Sequence, residues 1–325
     1  MRKVFTDCRY GGRRWHFTPA LLVIALVASA CGQASGLRGQ AGVPTSPKTI
    51  KIVAAENFWG SLVAQLAGRV GTVTTILSDP AVDPHGYESR ADDARAFASA
   101  DYVVTNGAGY DAWADRLLAG NRRPGRRVLS VATLLGKTPT DNPHFWYDPA
   151  AVNAVVDRIS ADLIALKPDA TTYLTSQRTS LGSSFAAIRQ RLGEIKAKHP
   201  GAQVAATESI FVYLGRFLGL DVISPPDFMS AVAEGNDPPA PAVARFEQQL
   251  TTHAAQVFVY NRQTSTAATS NLVRLAKRLG IPTVALTETI VPSSATFEEW
   301  FGAELGDLQV ALDNGHLSPP APAQP

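Results

Sequence analysis

Cysteine is scarce in this chain of 325 residues, with only Cys8 and Cys31 in the whole sequence. Cys8 falls inside a predicted N-terminal signal, so the mature chain keeps one cysteine and cannot form an internal disulfide. Hydrophobic residues make up 45% of the sequence, which is enough to build a core. We therefore expect an exported protein that is stabilised by its core and not by covalent cross-links.

The N-terminal apolar run is too short to span a membrane as a mature helix. This run, "TPALLVIALVASA", follows a basic leader and ends at Ala30, so residues 1–30 are predicted to be a signal peptide. The stretch "VASAC" resembles a bacterial lipobox, in which the chain is cut before the cysteine and lipidated there. The alternative is an ordinary secretory signal beside a chance cysteine. We predict a lipid on Cys31 that anchors the protein to the outer face of the cytoplasmic membrane.

The mature chain has no excess of positive charge. The signal carries five of the 30 Lys and Arg residues and one of the 28 acidic residues, so the formal charge changes from +2 to −2 when it is removed. No basic stripe remains for binding a phosphate backbone. The charge pattern therefore excludes a nucleic-acid-binding protein.

The organisation of the remaining chain follows from composition and periodicity. Strand patterns such as "TIKIVAA" and "QVFVYN" alternate with helical patterns on both sides of a long strand-free stretch, which predicts parallel sheets covered by helices. About thirty helical residues in that stretch would span about 45 Å. No sequence repeat relates the two halves. The predicted segments are a signal peptide (1–30), a lipid-anchored flexible tether (31–48), an N-terminal α/β lobe (49–168), a linker helix (169–198), a C-terminal α/β lobe (199–316) and a disordered tail (317–325).

The predicted fold class is α/β, with two doubly wound lobes joined by one long rigid linker helix and a site in the cleft between them. In such sheets, ligands bind beyond the carboxyl ends of the strands. The loops at those ends carry His85, His144, Glu208 and Glu288. Two neutral imidazoles and two carboxylates carry a combined charge of −2, which neutralises a divalent cation. Nitrogen and oxygen donors suit Zn(II), Mn(II) or Fe(II), and the lack of Cys or Met nearby disfavours Cu(I).

Each candidate ligand has a simpler structural interpretation. His85 could cap a turn, and His144, in "NPHFWYDP", could belong to a packed loop in which the ring bonds a carbonyl. Glu208 and Glu288 each end an apolar strand, where a glutamate is often solvated. The carboxylates that flank the candidates could orient them from outside the site. These are Asp83, Glu88 and Asp148.

Five motifs together resemble one known family. "DPHGYES", "NGAGYDAW", "NPHFWYDP", "ATESIFVYLGRFLGL" and "GIPTVALTETI" occur in the family's order and cover about residues 49–312. The family is the solute-binding proteins of zinc and manganese ABC importers, the cluster A-I or ZnuA-like proteins. The resemblance implies His85, His144, Glu208 and Glu288 as ligands. Glu208 corresponds to the family's third ligand position, where glutamate is typical of manganese importers. Glu288 corresponds to the fourth, which is usually aspartate.

The resemblance also implies what this protein does. It predicts a monomeric receptor, not an enzyme, that captures Zn²⁺ or Mn²⁺ and delivers it to an ABC permease and, through that permease, to a cytoplasmic ATPase. One alternative is a secreted metal-dependent hydrolase, whose zinc would keep three protein ligands and an open position for water. Another is a metal-binding surface adhesin, which shares the fold and the anchor with some members.

Overall fold

The computed structural model describes residues 49–82 and 86–315. The predicted signal peptide, the tether with Cys31 and the C-terminal tail lie outside the described residues, and so do Asp83 and His85. Within the described ranges, no helix is both long and apolar enough to cross a membrane.

The N-terminal lobe is a four-stranded parallel sheet with helices around it. Its strands are β1 (Ile50–Glu56), β2 (Gly71–Leu77), β3 (Tyr102–Thr105) and β4 (Arg127–Ser130), in the order β2-β1-β3-β4. The residues of β3 are all buried because helices cover both faces of the sheet. The helices of this lobe are α1 (Asn57–Ala67), α2 (Ala91–Ser99), α3 (Ala112–Gly120), α4 (Val131–Leu134) and α5 (Pro149–Leu166).

Two consecutive helices, α6 (Thr171–Ser184) and α7 (Ala186–Lys198), occupy the segment that was predicted as one linker helix. The break is a single residue, Phe185, at φ −76° and ψ −1°. Its amide still donates to the carbonyl of Leu181 at 3.3 Å, and its carbonyl accepts from Arg189 at 3.0 Å. The Phe185 ring stacks on Phe297 at 5.8 Å between centroids. The helical path is therefore continuous apart from one residue, and its rigidity stays a prediction.

The C-terminal lobe has a second four-stranded parallel sheet with the same strand order. Its strands are β5 (Gln203–Ala206), β6 (Asp221–Val222), β7 (Val257–Asn261) and β8 (Thr283–Leu286), in the order β6-β5-β7-β8. Its helices are α8 (Val212–Leu218), α9 (Pro226–Ala233), α10 (Ala240–Thr251), α11 (Ala267–Arg278) and α12 (Phe297–Gly315). The predicted pair of parallel α/β lobes is confirmed. The two-residue β6 is too short to give a strand pattern in the sequence.

The two lobes share a buried junction. One hydrophobic cluster contains Phe58 of α1 and Trp300 of α12, so the core runs from one lobe into the other. The Asn57 side chain accepts from the amide of Ile290 at 3.0 Å and donates to its carbonyl at 3.3 Å. The Ser61 hydroxyl accepts from the first amide of α12 at 2.9 Å. These contacts bring the carboxyl ends of both sheets to the same junction.

Candidate metal site

Three of the four predicted ligands meet at this junction. One ligand atom each from His144, Glu208 and Glu288 lies within 4.8 Å of the other two. All three residues are fully buried. His144 precedes a 3-10 turn in the loop between α4 and α5, whereas Glu208 follows β5 and Glu288 follows β8. The N-terminal lobe thus contributes the imidazole, and the C-terminal lobe contributes both carboxylates.

The imidazole of His144 is held in one orientation by Asn142. The Nδ1 atom lies 2.7 Å from Asn142 Oδ1, an atom that can only accept, so Nδ1 carries the proton and Nε2 keeps its lone pair. Asn142 also donates to the carbonyl of Ser209, next to Glu208, at 2.8 Å. The ring of Trp146 stands edge-on to His144 at 5.1 Å. Asn142 therefore orients the imidazole, and Trp146 packs against it.

Asp148, a predicted orienting residue, has another role. Its carboxylate accepts from the amides of Ala150 at 2.9 Å and Ala151 at 3.4 Å, so it caps the N-terminus of α5. Glu88 is exposed. The group that orients His144 is an amide oxygen and not a carboxylate.

Both oxygens of Glu288 accept hydrogen bonds from neutral donors. Tyr110, in the N-terminal lobe, donates its hydroxyl to Oε2 at 2.8 Å, and Asn261 donates Nδ2 to Oε1 at 2.7 Å. The side chain of Gln263 accepts from the backbone amide of Glu288 at 2.6 Å. Such contacts fix a carboxylate without neutralising it, which suits a ligand for a cation.

The loop after β7 supports the remaining carboxylate and reaches the other lobe. The Thr264 hydroxyl donates to Glu208 Oε1 at 3.2 Å. Gln263 donates to the carbonyl of Pro80 at 2.9 Å, in the loop that follows β2. His85 follows Pro80 by five positions in the sequence and lies outside the described residues.

Burial dominates the electrostatics around the site. It raises the pKa of Tyr110 well above its usual value, and the neighbouring carboxylates of Glu288 and Glu56 raise it further. Tyr110 therefore stays a neutral donor. Glu56, also fully buried, has its pKa raised by burial and by the nearby carboxylate of Asp111. Two ionised carboxylates side by side repel each other when buried, and a divalent cation bound between them would remove that repulsion.

The residues that support the ligands were not predicted from the sequence. They include Asn142, Tyr110, Asn261, Gln263 and Thr264. Three of them lie in "YNRQT", at the carboxyl end of β7 and just beyond it, where ligands were expected. A search restricted to His, Asp and Glu passes over amide and hydroxyl side chains. Their position at the end of a strand was the signal that could have identified them, because that position can hold a supporting residue whether or not its side chain is charged.

The fold has two α/β lobes, and three candidate metal ligands lie close together where the lobes meet. Residues 52–311 match the family described as zinc-uptake complex component A, periplasmic. The chain belongs to this family, as its motifs predicted. The predicted class, a metal-binding solute-binding protein, is confirmed with it.

Three similar proteins illustrate the relationship. The manganese-binding lipoprotein MntA of Halalkalibacterium halodurans is 25% identical over 214 residues, which is 64% of this chain and 69% of that protein. The solute-binding protein FpvC of Pseudomonas aeruginosa, solved with Ni²⁺, has a TM-score of 0.68 at 24% identity over 82% of this chain and 98% of that one. The periplasmic zinc-binding protein TroA of Treponema pallidum has a TM-score of 0.67 at 16% identity, over 82% of this chain and 99% of that one. The two structures support the fold.

Proposed function

We propose that this protein captures one divalent transition-metal ion outside the cytoplasm and delivers it to an ABC permease, which a cytoplasmic ATPase drives. The observation that carries the proposal is the convergence of His144, Glu208 and Glu288 within 4.8 Å in the junction of a fold that belongs to this family. Because the ligands come from both lobes, release requires only that the junction loosen. A receptor needs such reversible capture.

His85 is proposed as the fourth ligand. Three protein donors leave a divalent ion one position short of a tetrahedral shell. The loop that carries His85 follows β2 and is tied to the C-terminal lobe through Pro80 and Gln263. With His85 as a fourth donor, the protein ligands would complete a tetrahedral shell around Zn²⁺, which is the arrangement of a closed binding site and not of a hydrolase.

The proposed cargo is Mn²⁺ or Zn²⁺. Two carboxylates favour manganese over an all-histidine site, and one relative, MntA, is named as manganese-binding. Zn²⁺ binds most nitrogen and oxygen sites more tightly than Mn²⁺ by intrinsic affinity. Competition between equal concentrations of the two ions, followed by elemental analysis of the protein that was first stripped of metal, decides between them.

The test of the ligand set is a series of single variants of the full chain in detergent. His85→Ala, His144→Ala, Glu208→Gln and Glu288→Gln should each weaken binding of Mn²⁺ and Zn²⁺. His253→Asn is a matched control, because His253 precedes β7, at the opposite edge of the sheet, and Asn tolerates its φ of +53°. Glu247→Gln, on the exposed face of α10, is the carboxylate control. Binding by His144→Ala at the parent's affinity would contradict the site.

Membrane attachment through Cys31, and a monomeric state, are proposed with the function. Cys31→Ser should move the protein from the membrane fraction to the soluble fraction. If both forms fractionate alike, Cys31 is not the anchor. Light scattering of the released form then measures its mass directly.

A further inference from the structure

Glu304 lies behind the site and contacts both of the loops that carry His144 and Glu288. It is on α12, with 9% of its surface exposed. Its Oε2 lies 2.6 Å from the hydroxyl of Tyr147, three residues after His144. Its Oε1 accepts from the amide of Thr287, the residue before Glu288, at 3.0 Å. One carboxyl group thus joins a loop of the N-terminal lobe to a loop of the C-terminal lobe.

The hydrogen bonds around Glu304 need more protons than the two neighbouring hydroxyls supply. The Tyr147 hydroxyl lies 2.9 Å from the carbonyl of Thr287 as well as 2.6 Å from Glu304 Oε2, yet it has one proton for two acceptors. The Thr287 hydroxyl also has one proton for two acceptors, Thr289 O at 2.8 Å and Glu304 Oε1 at 3.1 Å. It accepts a hydrogen bond from Trp300 as well. A proton on Glu304 Oε2 satisfies Tyr147, which can then donate to Thr287 O.

We propose that Glu304 is a positioning residue which, as a neutral carboxylic acid, fastens the His144 loop to the Glu288 loop and so fixes the spacing of these two ligands. This inference rests on the proposed function, because the spacing matters only if both residues bind the ion. Glu304 itself does not enter the site. It acts through Tyr147 and through the backbone of Thr287.

The surroundings of Glu304 favour the neutral form. Burial raises the pKa of Glu304 to about 8, although hydrogen bonds from Tyr147 and Thr287 act in the opposite direction. Tyr147 is the titratable group in contact with it, and burial raises the Tyr147 pKa well above the usual value, with Glu304 and Glu288 adding to the rise. Charged side chains of α7 meet α12 elsewhere, with Arg191 at the carbonyl of Gly302 and Lys198 at Asp313. No charged group therefore compensates an ionised Glu304 from that helix within the described contacts.

Three variants of the full chain in detergent test the proposal. Glu304→Gln keeps a donor for Tyr147 and an acceptor for Thr287, so its Mn²⁺ and Zn²⁺ affinities at pH 7 should stay within about threefold of the parent. Glu304→Ala removes both contacts and should weaken binding by about 10- to 100-fold. Tyr147→Phe keeps the ring in the core and removes the hydroxyl, so it should weaken binding about tenfold even if the alanine variant folds poorly.

The pH profile separates positioning from plain stability. The ratio of parent affinity to Glu304→Gln affinity should be close to one at pH 7 and should fall by about tenfold at pH 9, because only the parent loses a proton there. Ligand titration and metal hydrolysis cancel in this ratio. A flat ratio, a glutamine variant as weak as the alanine variant, or alanine and phenylalanine variants that bind like the parent would each overturn the proposal.

Metal-free protein distinguishes this proposal from the proposed function. The unfolding free energy of the parent, relative to Glu304→Gln, should fall between about pH 4.3, the reference glutamate pKa, and pH 8, because the folded parent holds a proton that the unfolded chain releases. This result supports the neutral acid even if the parent binds neither ion, an outcome that would refute only the proposed function. A constant difference across that range would refute the neutral acid itself.

Discussion

The two lobes place the same residue types at corresponding positions and use them differently. Ile52 pairs with Tyr102 across β1 and β3, and Val204 pairs with Val257 across β5 and β7, so the two registers superimpose. Four residues beyond Ile52 and Val204 lie Glu56 and Glu208. By the same register, Asn106 after β3 corresponds to Asn261 at the end of β7. The lobes therefore repeat in structure where the sequence shows no repeat.

The two glutamates differ in what faces them. Glu208 meets His144 and Glu288 at the junction of the lobes. Glu56 faces the carboxyl of Asp111, which accepts from the amides of Asn106 and Gly107 at 2.7 and 2.8 Å. Burial and the carboxyl of Asp111 both raise the pKa of Glu56, so the contact between the two acids is made by a proton that Glu56 holds. The same strand-end position carries a proposed metal ligand in one lobe and a buried neutral acid in the other.

The two asparagines differ in the same way. Asn261 donates to Glu288 Oε1 at 2.7 Å. Asn106 accepts from Trp59 Nε1 at 3.1 Å and donates to the carbonyl of Pro143, next to His144, at 2.9 Å. One asparagine contacts a proposed ligand directly, and the other contacts the backbone beside a proposed ligand. The sheet fixes where each asparagine lies, and the neighbouring loop determines which group it contacts.

The largest expected difference between the lobes is the effect of one substitution at the two glutamates. Glu208→Gln removes a ligand charge, and we expect metal affinity to fall by more than the 10- to 100-fold that is typical of a supporting residue. Glu56→Gln replaces a protonated acid by its neutral isostere, and affinity should change by less than about threefold. Isothermal titration with Mn²⁺ and Zn²⁺ measures both. Equal losses in the two variants would show that Glu56 also acts on the ion as a charge.

Metal loading should stabilise the protein because the ion connects ligands from both lobes. At a hundredfold excess over the dissociation constant, the gain is about 2.7 kcal/mol. Urea unfolding with and without metal measures this gain. Glu208→Gln should lose most of it, and Glu56→Gln should keep it. Stabilisation that persists in full in Glu208→Gln would mean that Glu208 is not a ligand of the stabilising ion.

The asparagines should give a smaller contrast. Asn261→Ala leaves Glu288 without one donor and should weaken binding by about 10- to 100-fold. Asn106→Ala leaves the buried Trp59 N–H without its acceptor and should cost about 1–3 kcal/mol of stability, with a smaller effect on affinity. Binding and unfolding are measured for both variants. Asn236→Ala, at an exposed position, is the control. A larger loss of affinity in Asn106→Ala would reverse the assigned roles.

Much of this contrast was accessible from the sequence, and part of it was not. Buried strands such as "TIKIVAA" and "QVFVYN" carry enough β-branched and apolar residues to identify both sheets. His144, Glu208 and Glu288 stood out because strand-end loops of parallel sheets share one edge. Asn142 and Asn261 could not be identified in this way, because a side-chain amide that orients a ligand occurs at no characteristic spacing in the sequence.

The break at Phe185 shows another limit of sequence reasoning. The periodicity of residues 171–198 is helical on both sides of Phe185, and no Gly or Pro stands at the break itself. The ring stacks on Phe297, a contact with a residue more than one hundred positions away. Tertiary packing of this kind is absent from local patterns. The role of Glu304 was not predicted for the same reason, because its partners Tyr147 and Thr287 are distant in the sequence.

Substitution of Glu56 should have the smallest effect on metal binding. Its protonation should instead affect the pH dependence of the unfolding free energy. Its pKa is raised in the folded protein, first by burial and then by Asp111, whereas the unfolded chain titrates near the reference value of about 4.3. The folded state therefore binds more protons above that pH, and stability falls as pH rises through the folded pKa, by at most about 1.4 kcal/mol per pH unit. Glu56→Gln cannot titrate, so its stability relative to the parent should increase with pH. Urea unfolding of metal-free protein from pH 5 to pH 8 measures this difference, and parallel curves for the two proteins would show that Glu56 is already ionised in the fold.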